Sequence, residues 1–118
     1  MDIETLRTYC LGIKGAVETM PFDDDSLVMK VLDKMFILIS LNPSNRIALK
    51  CDPDYAIELR EQYEGIQPAF HFNKRYWNQV LLDSDVPDEL ILQLVRHSVD
   101  EVLKKLPKSK RQAYEEMP

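Results

Sequence analysis

The most informative stretch of this chain is Pro68-Ala-Phe-His-Phe-Asn-Lys-Arg-Tyr-Trp-Asn-Gln-Val-Leu-Leu-Asp83. It contains four aromatic side chains, one of the two histidines of the chain and an adjacent Lys-Arg pair. The pattern predicts two strands, residues 70–73 and 78–82, joined by the four-residue loop 74–77. In this hairpin Phe70 and Phe72 would face the core, and His71 and Asn73 would face outward.

Three further strands are predicted before this hairpin. Residues 27–32 and 35–41 are rich in large apolar side chains, and Asp33-Lys34 between them has the spacing of a tight turn, although it lacks glycine. Residues 42–45, Asn-Pro-Ser-Asn, are a strong turn signal, and residues 46–51 alternate between polar and apolar side chains. These segments predict an antiparallel meander.

Helices are predicted around the sheet. Asp2 is an N-cap candidate, and Asp52 followed by Pro53 is the clearest helix start in the chain, with Gly65 as its stop. A long helix is predicted from Asp88 to the residue before Pro107, followed by a tail that is first basic and then acidic, residues 107–118. The expected fold is a single α+β domain spanning residues 1–118. In it, a mostly antiparallel sheet carries an N-terminal helix, a short middle helix and a long C-terminal helix.

Charge is distributed unevenly along the chain. The formal net charge is −5, and the excess of acidic residues lies entirely in residues 1–70, so bulk electrostatic coating of nucleic acid is excluded. No apolar run is long enough for a membrane span, and the N-terminus does not resemble a secretion signal. The two cysteines, Cys10 and Cys51, are expected to be free buried thiols. These features predict a cytoplasmic protein without a membrane partner.

Residue patterns typical of catalysis are scarce. There is no glycine-rich phosphate loop, and His71, His97, Cys10 and Cys51 do not have the clustered spacing of zinc ligands. Consecutive carboxylates at residues 23–25 are expected to form a solvated loop. We therefore expect neither enzymatic activity nor a metal or cofactor.

A binding function has more support from the residues. If the two phenylalanines are buried, the outward side chains of the second hairpin suit contacts with phosphates and base edges, and Trp77 is either a core anchor or a stacking surface. A second group of cations follows in the C-terminal segment. The candidate binding residues are His71, Asn73, Lys74, Arg75, Trp77, Lys34, Lys104, Lys105, Lys108, Lys110 and Arg111.

Several segments, in the same order along nearly the whole chain, resemble the MmcQ/YjbR family of small bacterial proteins. They are residues 20–22 (Met-Pro-Phe), 34–36 (Lys-Met-Phe), 49–53 (Leu-Lys-Cys-Asp-Pro), 68–80, 82–90 and 106–108. The core of the resemblance is the pattern His-x-Asn-Lys-x-x-Trp at residues 71–77. The family implies a double-wing α+β fold that is proposed to bind DNA, and its matching residues here are Lys34, His71, Asn73, Lys74 and Trp77.

Two positions depart from the family pattern, which tends to have glycine where this chain has Asp33 and Ala69. An aspartate at the first hairpin tip would weaken phosphate contact there. The leading hypothesis is a monomeric, non-enzymatic protein that binds double-stranded DNA through the second hairpin and the basic C-terminal segment. The alternatives are a protein–protein interaction module and a small-molecule or enzymatic site around His71 and Trp77.

Overall fold

The computed structural model describes residues 1–118 as four helices and six strands. The helices are α1 (Ile3–Leu11), α2 (Pro53–Gln62), α3 (Asp88–Lys104) and α4 (Lys108–Glu116). The strands are β1 (Val17–Thr19), β2 (Ser26–Val31), β3 (Lys34–Ser40), β4 (Arg46–Lys50), β5 (Ile66–Pro68) and β6 (Trp77–Leu81). They form one antiparallel sheet in the order β1-β2-β3-β4-β6-β5, which confirms the predicted α+β architecture.

The helices cover one face of the sheet, and that face holds the core. Ile39 pairs with Ile47 and Ile47 with Val80, so these three side chains form a row, and all three belong to the buried apolar cluster. The alternate row, Leu38, Ala48 and Gln79, points to the opposite face. We call this second face the open face, because α3, which lies against β3 and β4, is on the other side.

The helix starts were predicted correctly. Asp2 accepts a hydrogen bond from the backbone N–H of Thr5, and Asp52 accepts one from that of Tyr55. The end of α2 differs from the prediction, since it stops at Gln62 and Gly65 lies beyond it. Gly65 is required for close packing instead, because a Cβ there would come within 2.0 Å of the Ser84 hydroxyl oxygen.

The first hairpin is present, with its turn one residue earlier than predicted. Val31 pairs with Lys34, and the two turn residues are Leu32 and Asp33, with φ angles of 47° and 66°. Two consecutive positive φ values are the geometry of a type I′ turn, which matches the twist of the flanking strands. Lys34 is therefore the first residue of β3, and Asp33 occupies the tip.

The second hairpin differs more from the prediction. Residues 70–73 are not a strand: β5 is Ile66–Pro68, and the loop between β5 and β6 spans eight residues, 69–76. Two consecutive turns build this loop, because the N–H of Phe72 donates to the carbonyl of Ala69 and that of Tyr76 to the carbonyl of Asn73. Phe70 is consequently 61% exposed, so the prediction that it is a core residue was wrong.

The C-terminal segment also differs from the prediction. Residues 107–118 are not a simple tail, since α4 occupies Lys108–Glu116. The hydroxyl of Tyr114 donates to the carbonyl of Lys14 at 2.7 Å, and the ammonium of Lys14 lies 4.5 Å from the centre of the Tyr114 ring. These contacts hold α4 against the segment that follows α1. None of the four helices combines the length and the apolar character that crossing a membrane requires.

Candidate nucleic-acid interface

Both hairpin loops lie at the same end of the sheet. The register that pairs Val31 with Lys34 also brings Lys50 opposite Trp77 and Pro68 opposite Asn78. The turn 32–33 and the loop 69–76 therefore share this end, with the end of β4 between them, as the two wings of a double-wing fold would. We call this end of the sheet, together with the C-terminal end of α3, the wing end.

A group of cations surrounds Tyr76 at the wing end. The ammonium of Lys105 lies 4.7 Å from the centre of the Tyr76 ring, and the guanidinium carbon of Arg75 lies 5.6 Å from it. The second hairpin and the end of α3, which are separated by about 30 residues of sequence, thus place positive charge around one aromatic side chain.

Lys50 extends this group toward the first hairpin. Its pKa is lowered from the usual lysine value, first by burial and then by the charges of Lys105 and Lys34, while Glu101 opposes the shift. Repulsion between these ammonium groups means that they lie within reach of one another's fields. We call Lys34, Lys50, Arg75 and Lys105 the basic cluster.

The rest of the second hairpin loop is held by its own aromatic side chains. Phe72 stacks on Trp77 with 5.0 Å between ring centres and an angle of 25° between the planes. Trp77 is half-buried, so it closes the loop and keeps one part accessible. The ammonium of Lys74 lies 5.2 Å from the centre of the Phe70 ring, on the exposed side of the loop.

Asn73 has a structural role in the second hairpin loop. Its side-chain oxygen accepts a hydrogen bond from the N–H of Arg75 at 3.1 Å, an arrangement that stabilises the turn and is common for asparagine. This oxygen is therefore engaged in shaping the loop. Asn73 positions Lys74 and Arg75, and the exposed side-chain NH₂ group is what it offers to a ligand.

Arg60 braces the loop from α2, a role that the sequence did not indicate. Its guanidinium donates to the side-chain oxygen of Asn78 at 2.6 Å and to the backbone carbonyl of Lys74. Asn78 is only 2% exposed and donates in turn to the carbonyl of Ala56. These hydrogen bonds, which connect α2 with Asn78 and Lys74, fix the second wing relative to the core.

The cations of the C-terminal segment do not all behave alike. Lys104 is paired with Glu101, with 3.2 Å between ammonium nitrogen and carboxylate oxygen, which offsets its charge. Lys105 makes no ion pair and joins the basic cluster. The remaining three are exposed on the first two turns of α4, and they are Lys108, Lys110 and Arg111. Lys108 lies no more than about 11 Å from Lys105 between Cα atoms, because three peptide units separate them.

His71 is exposed but lines a separate region. A cleft of about 540 Å³ lies on the open face, between the loop before β2 and the first turn of the 69–76 loop. His71, Phe70 and Phe72 line one side, and Phe22 and Asp25 line the other. The predicted binding residues are thus divided, with Lys34, Arg75 and Lys105 together at the wing end and His71 on the open face.

The other groups with potential reactivity are engaged or buried. His97 is half-buried, and its Nε2 accepts the N–H of Asp52 at 3.1 Å while its ring contacts Tyr55 edge-on. Burial raises the pKa of the Cys10 and Cys51 thiols to about 12, so both are protonated at neutral pH.

Comparison with known proteins agrees with this architecture. The YjbR family model matches residues 11–100. The chain is 34% identical to the uncharacterised protein YjbR of Escherichia coli K12, over 94% of this chain and 95% of the relative. It is 29% identical to the uncharacterised protein YbdF of E. coli O157:H7, over 89% of this chain and 87% of the relative.

Two solved structures have the same fold. The crystal structure of a Deinococcus radiodurans protein, of the domain family DUF419, aligns with a TM-score of 0.89 and 38% identity, over 99% of this chain and 89% of that one. A crystal structure of a Pseudomonas syringae protein aligns with a TM-score of 0.73 and 26% identity, over 86% of this chain and 99% of that one. The matched family model and the near full-length relatives lead to one conclusion: the chain belongs to the YjbR family.

Proposed function

We propose that this chain is a non-enzymatic DNA-binding protein that contacts the phosphate backbone of duplex DNA with its wing end. The observation that carries the proposal is the convergence of Lys34, Lys50, Arg75 and Lys105 on one end of the sheet. Three of these cations come from different strands or loops and one from the end of α3. Charges gathered from distant parts of the sequence form a local field that the net charge of the chain conceals.

The lowered pKa of Lys50 favours the binding of an anionic ligand at the wing end. Burial and the neighbouring ammonium groups lower its pKa, so the free protein carries unrelieved repulsion in the basic cluster. A bound phosphate would offset that repulsion and raise the pKa of Lys50 again. Phosphate contacts are also the commonest polar contacts between proteins and DNA, and they fix the register of the protein on the duplex.

The negative charge of the rest of the molecule determines which part of the protein approaches DNA. With a net charge of −5, most of the surface repels DNA, so the wing end is the part that approaches it. Such a contact is expected to be weak and strongly dependent on salt, since few phosphates are neutralised. We also propose that the protein acts as a monomer and that it is located in the bacterial cytoplasm.

The lack of catalytic function is part of the proposal. Both thiols are buried and protonated, and His97 is held between Asp52 and Tyr55. These groups are therefore occupied with stabilising the fold. Trp77 and Phe72 hold the second wing in shape, while Lys74 lies on its exposed side.

Substitution of single cations at matched positions tests the proposal. Arg75→Gln and Lys105→Gln each remove one charge from the basic cluster, and Arg96→Gln removes one from the exposed surface beside Tyr9. Duplex affinity is measured by fluorescence anisotropy across a range of salt concentrations. Each cluster variant should weaken binding to unrelated duplexes uniformly and reduce the magnitude of the salt slope by about 1.

The control separates a local contact from a general charge effect. Arg96→Gln should leave the salt slope of the wild type unchanged. Equal losses in all three variants would mean that only net charge matters, and binding that none of the variants affects would refute the assignment of the wing end.

A further inference from the structure

We propose that Lys50 is a modification site, at which an acyl phosphate held by the neighbouring cations transfers its acyl group to the ε-amine. The inference deepens the proposed function, because it names a covalent reaction that would regulate the wing end. The effect on duplex binding rests on the proposed function, whereas the reaction at Lys50 does not. The observation that carries the inference is one partly buried amine beside three exposed cations, which are Lys34, Arg75 and Lys105.

Hydrogen bonds fix the backbone of Lys50 where β3, β4 and α3 meet. Its N–H donates to the hydroxyl of Ser98 at 3.0 Å, and that hydroxyl donates to the carbonyl of Phe36 at 2.5 Å. Lys105, at the end of α3, follows Ser98 by about two helical turns. Lys34 is the first residue of β3 and precedes Phe36 by only two positions. The strand and the helix that contact Lys50 therefore each carry one of these cations.

The second hairpin loop supplies the remaining cation. The N–H of Cys51, the residue after Lys50, donates to the carbonyl of Tyr76 at 2.8 Å, so this tyrosine lies directly beside the end of β4. The guanidinium carbon of Arg75 lies 5.6 Å from the centre of the tyrosine ring, and the ammonium of Lys105 lies 4.7 Å from it. The tyrosine thus holds two cations at the end of the strand that carries Lys50.

The amine of Lys50 has no acceptor within the chain. It takes part in no ion pair, whereas Lys104 is paired with Glu101. Burial lowers its pKa, Lys105 and Lys34 lower it further, and Glu101 opposes the shift. The neutral form, which is the nucleophile, is therefore more populated at Lys50 than at a solvated lysine.

An acyl phosphate suits this arrangement, because its phosphate is an anion and its acyl carbon is an electrophile. Lys34, Arg75 and Lys105 hold the phosphate oxygens through charge-assisted hydrogen bonds. The neutral amine of Lys50 attacks the acyl carbon, so that a C–N bond forms and the C–O bond to the phosphate breaks. Inorganic phosphate leaves with the electron pair of that bond, and the nitrogen releases one proton to solvent. The bound phosphate partly cancels the lowering of the Lys50 pKa, so the main gain in rate comes from proximity.

The product would regulate the wing end, because an amide at Lys50 carries no charge. One of the four cations of the basic cluster is then lost, and the magnitude of the salt slope for duplex binding should fall by about 1. Lys50→Gln places an uncharged amide at the same position and should show the same reduction in anisotropy titrations.

The test incubates the full-length protein with acetyl phosphate at low salt and follows the acetylation of each lysine by mass spectrometry. Lys110, which is exposed on α4 and lies outside the basic cluster, is the internal reference. Lys50 should be acetylated severalfold faster than Lys110, and the preference should vanish in urea, where the cluster is dispersed. Inorganic phosphate should slow the reaction at Lys50 more than chloride does at equal ionic strength.

Variants and a second reagent show whether the cations hold the phosphate. Arg75→Gln and Lys105→Gln each remove one of them, so both should slow the reaction at Lys50 severalfold. Neither should change the rate at Lys110. Arg96→Gln is the matched control and should change neither rate. Acetic anhydride has no phosphate, so its preference for Lys50 should be smaller than that of acetyl phosphate.

The inference would be overturned if acetyl phosphate modified Lys50 no faster than Lys110, or if the preference were the same in Arg75→Gln and Lys105→Gln. Excess duplex provides the separate test of the proposed function, because it should occupy the basic cluster and protect Lys50. Preferential acetylation without protection would support this inference and contradict the proposed function. Duplex binding that the cluster variants weaken, with no preference for Lys50, would support the proposed function and contradict this inference.

Discussion

Arg60 shows how one side chain joins the fold to the candidate interface. It reaches from α2 to the buried oxygen of Asn78 and to the carbonyl of Lys74, so it fixes the second wing from below. Nothing in its sequence context, a charged helix with Arg60 between Leu59 and Glu61, marks it as different from a solvated residue. Its role depends on the proximity of α2 and β6, which only the folded chain brings about.

Replacing Arg60 should therefore affect both stability and binding. In Arg60→Met the oxygen of Asn78 loses its donor, which should lower the free energy of unfolding by about 1–3 kcal/mol. The second wing should also become less ordered, and duplex affinity should fall although Arg60 itself is outside the basic cluster. Urea denaturation measures the first effect and fluorescence anisotropy the second.

The exposed Arg96 provides the control for this experiment. Arg96→Met leaves no buried polar atom without a partner, and its stability should stay within about 0.5 kcal/mol of the wild type. If both variants are equally stable, the connection from α2 through Asn78 does not support the wing.

Asp85 makes a similar connection that depends on pH. Its carboxylate oxygens accept the N–H groups of Glu64 and Gly65, each at 2.8 Å. These two hydrogen bonds, of which that from Gly65 has the larger effect, hold the pKa of Asp85 below its usual range. Because the folded-state pKa is depressed, this stabilisation is present above the unfolded-state value of about 4 and is lost as the pH falls through the folded-state value.

Asp85→Ala should consequently be destabilising at pH 7. The difference in free energy of unfolding between wild type and variant should shrink as the pH falls below about 4, since the wild-type carboxyl then becomes protonated. Urea titrations at several pH values measure this difference. Asp83→Ala is the matched control, because Asp83 is exposed and accepts no hydrogen bond, and a pH-independent difference for Asp85→Ala would contradict the explanation.

The turn of the first hairpin requires a backbone conformation that leucine disfavours. Leu32 and Asp33 both adopt positive φ angles, and leucine is poorly suited to that region. The double substitution Leu32→Asn and Asp33→Gly supplies the residues that a type I′ turn prefers. We expect it to raise the free energy of unfolding by about 1 kcal/mol, as measured by urea denaturation.

The same substitution also removes a carboxylate beside Lys34. It should therefore strengthen duplex binding if the first wing approaches DNA, whereas Leu32→Asn alone should change stability only. Unchanged duplex affinity in the double variant would place the first wing outside the interface.

The elements that the sequence predicted well are those with regular periodicity and strong caps. The first three strands of the meander and the starts of α1 and α2 follow from alternating side chains, from Asp2 and from Asp52-Pro53. The strand predicted at residues 70–73 was wrong, because alternation of Phe70 and Phe72 also fits a loop in which one phenylalanine is exposed and the other stacks on Trp77. Alternation over four residues does not distinguish these two structures.

Helix α4 was missed for a different reason. Its sequence, Lys-Ser-Lys-Arg-Gln-Ala-Tyr-Glu-Glu, is polar almost throughout, and a short polar helix is barely stable by itself in water. Contacts of Tyr114 and Met117 with Lys14 and Gly15 support it in the folded protein. These contacts join residues about 100 positions apart, so no local pattern indicates them.

The candidate site was predicted in part. The second hairpin and Lys105 were identified as carriers of positive charge, and the structure brings Arg75 and Lys105 to the same tyrosine. Lys50 was not among the candidate binding residues, although it pairs with Trp77 and lies at the wing end. The cleft beneath Phe22 and Phe70 was not predicted, since it forms between two loops that are distant in sequence.

The distribution of charge over the whole molecule distinguishes two surfaces. The wing end collects cations with few opposing carboxylates, whereas the cleft on the open face is lined by Asp23 and Asp25 as well as by Arg46 and His71. Long-range repulsion by the acidic surface should be screened at moderate salt, beyond a distance of about 10 Å. Direct phosphate contacts at the wing end lie within that distance. Salt weakens them because binding releases counterions from the DNA, and that release is less favourable at high salt concentration.

The salt dependence of duplex affinity for the wild-type protein therefore decides whether the wing end binds DNA. Anisotropy titrations of an unrelated duplex at increasing salt yield the slope of log affinity against log salt concentration. If the four cations of the basic cluster each neutralise one phosphate, the slope should be about −3.6. Absence of binding at low salt, or a slope shallower than about −1, would contradict the assignment of the wing end as a DNA-binding surface.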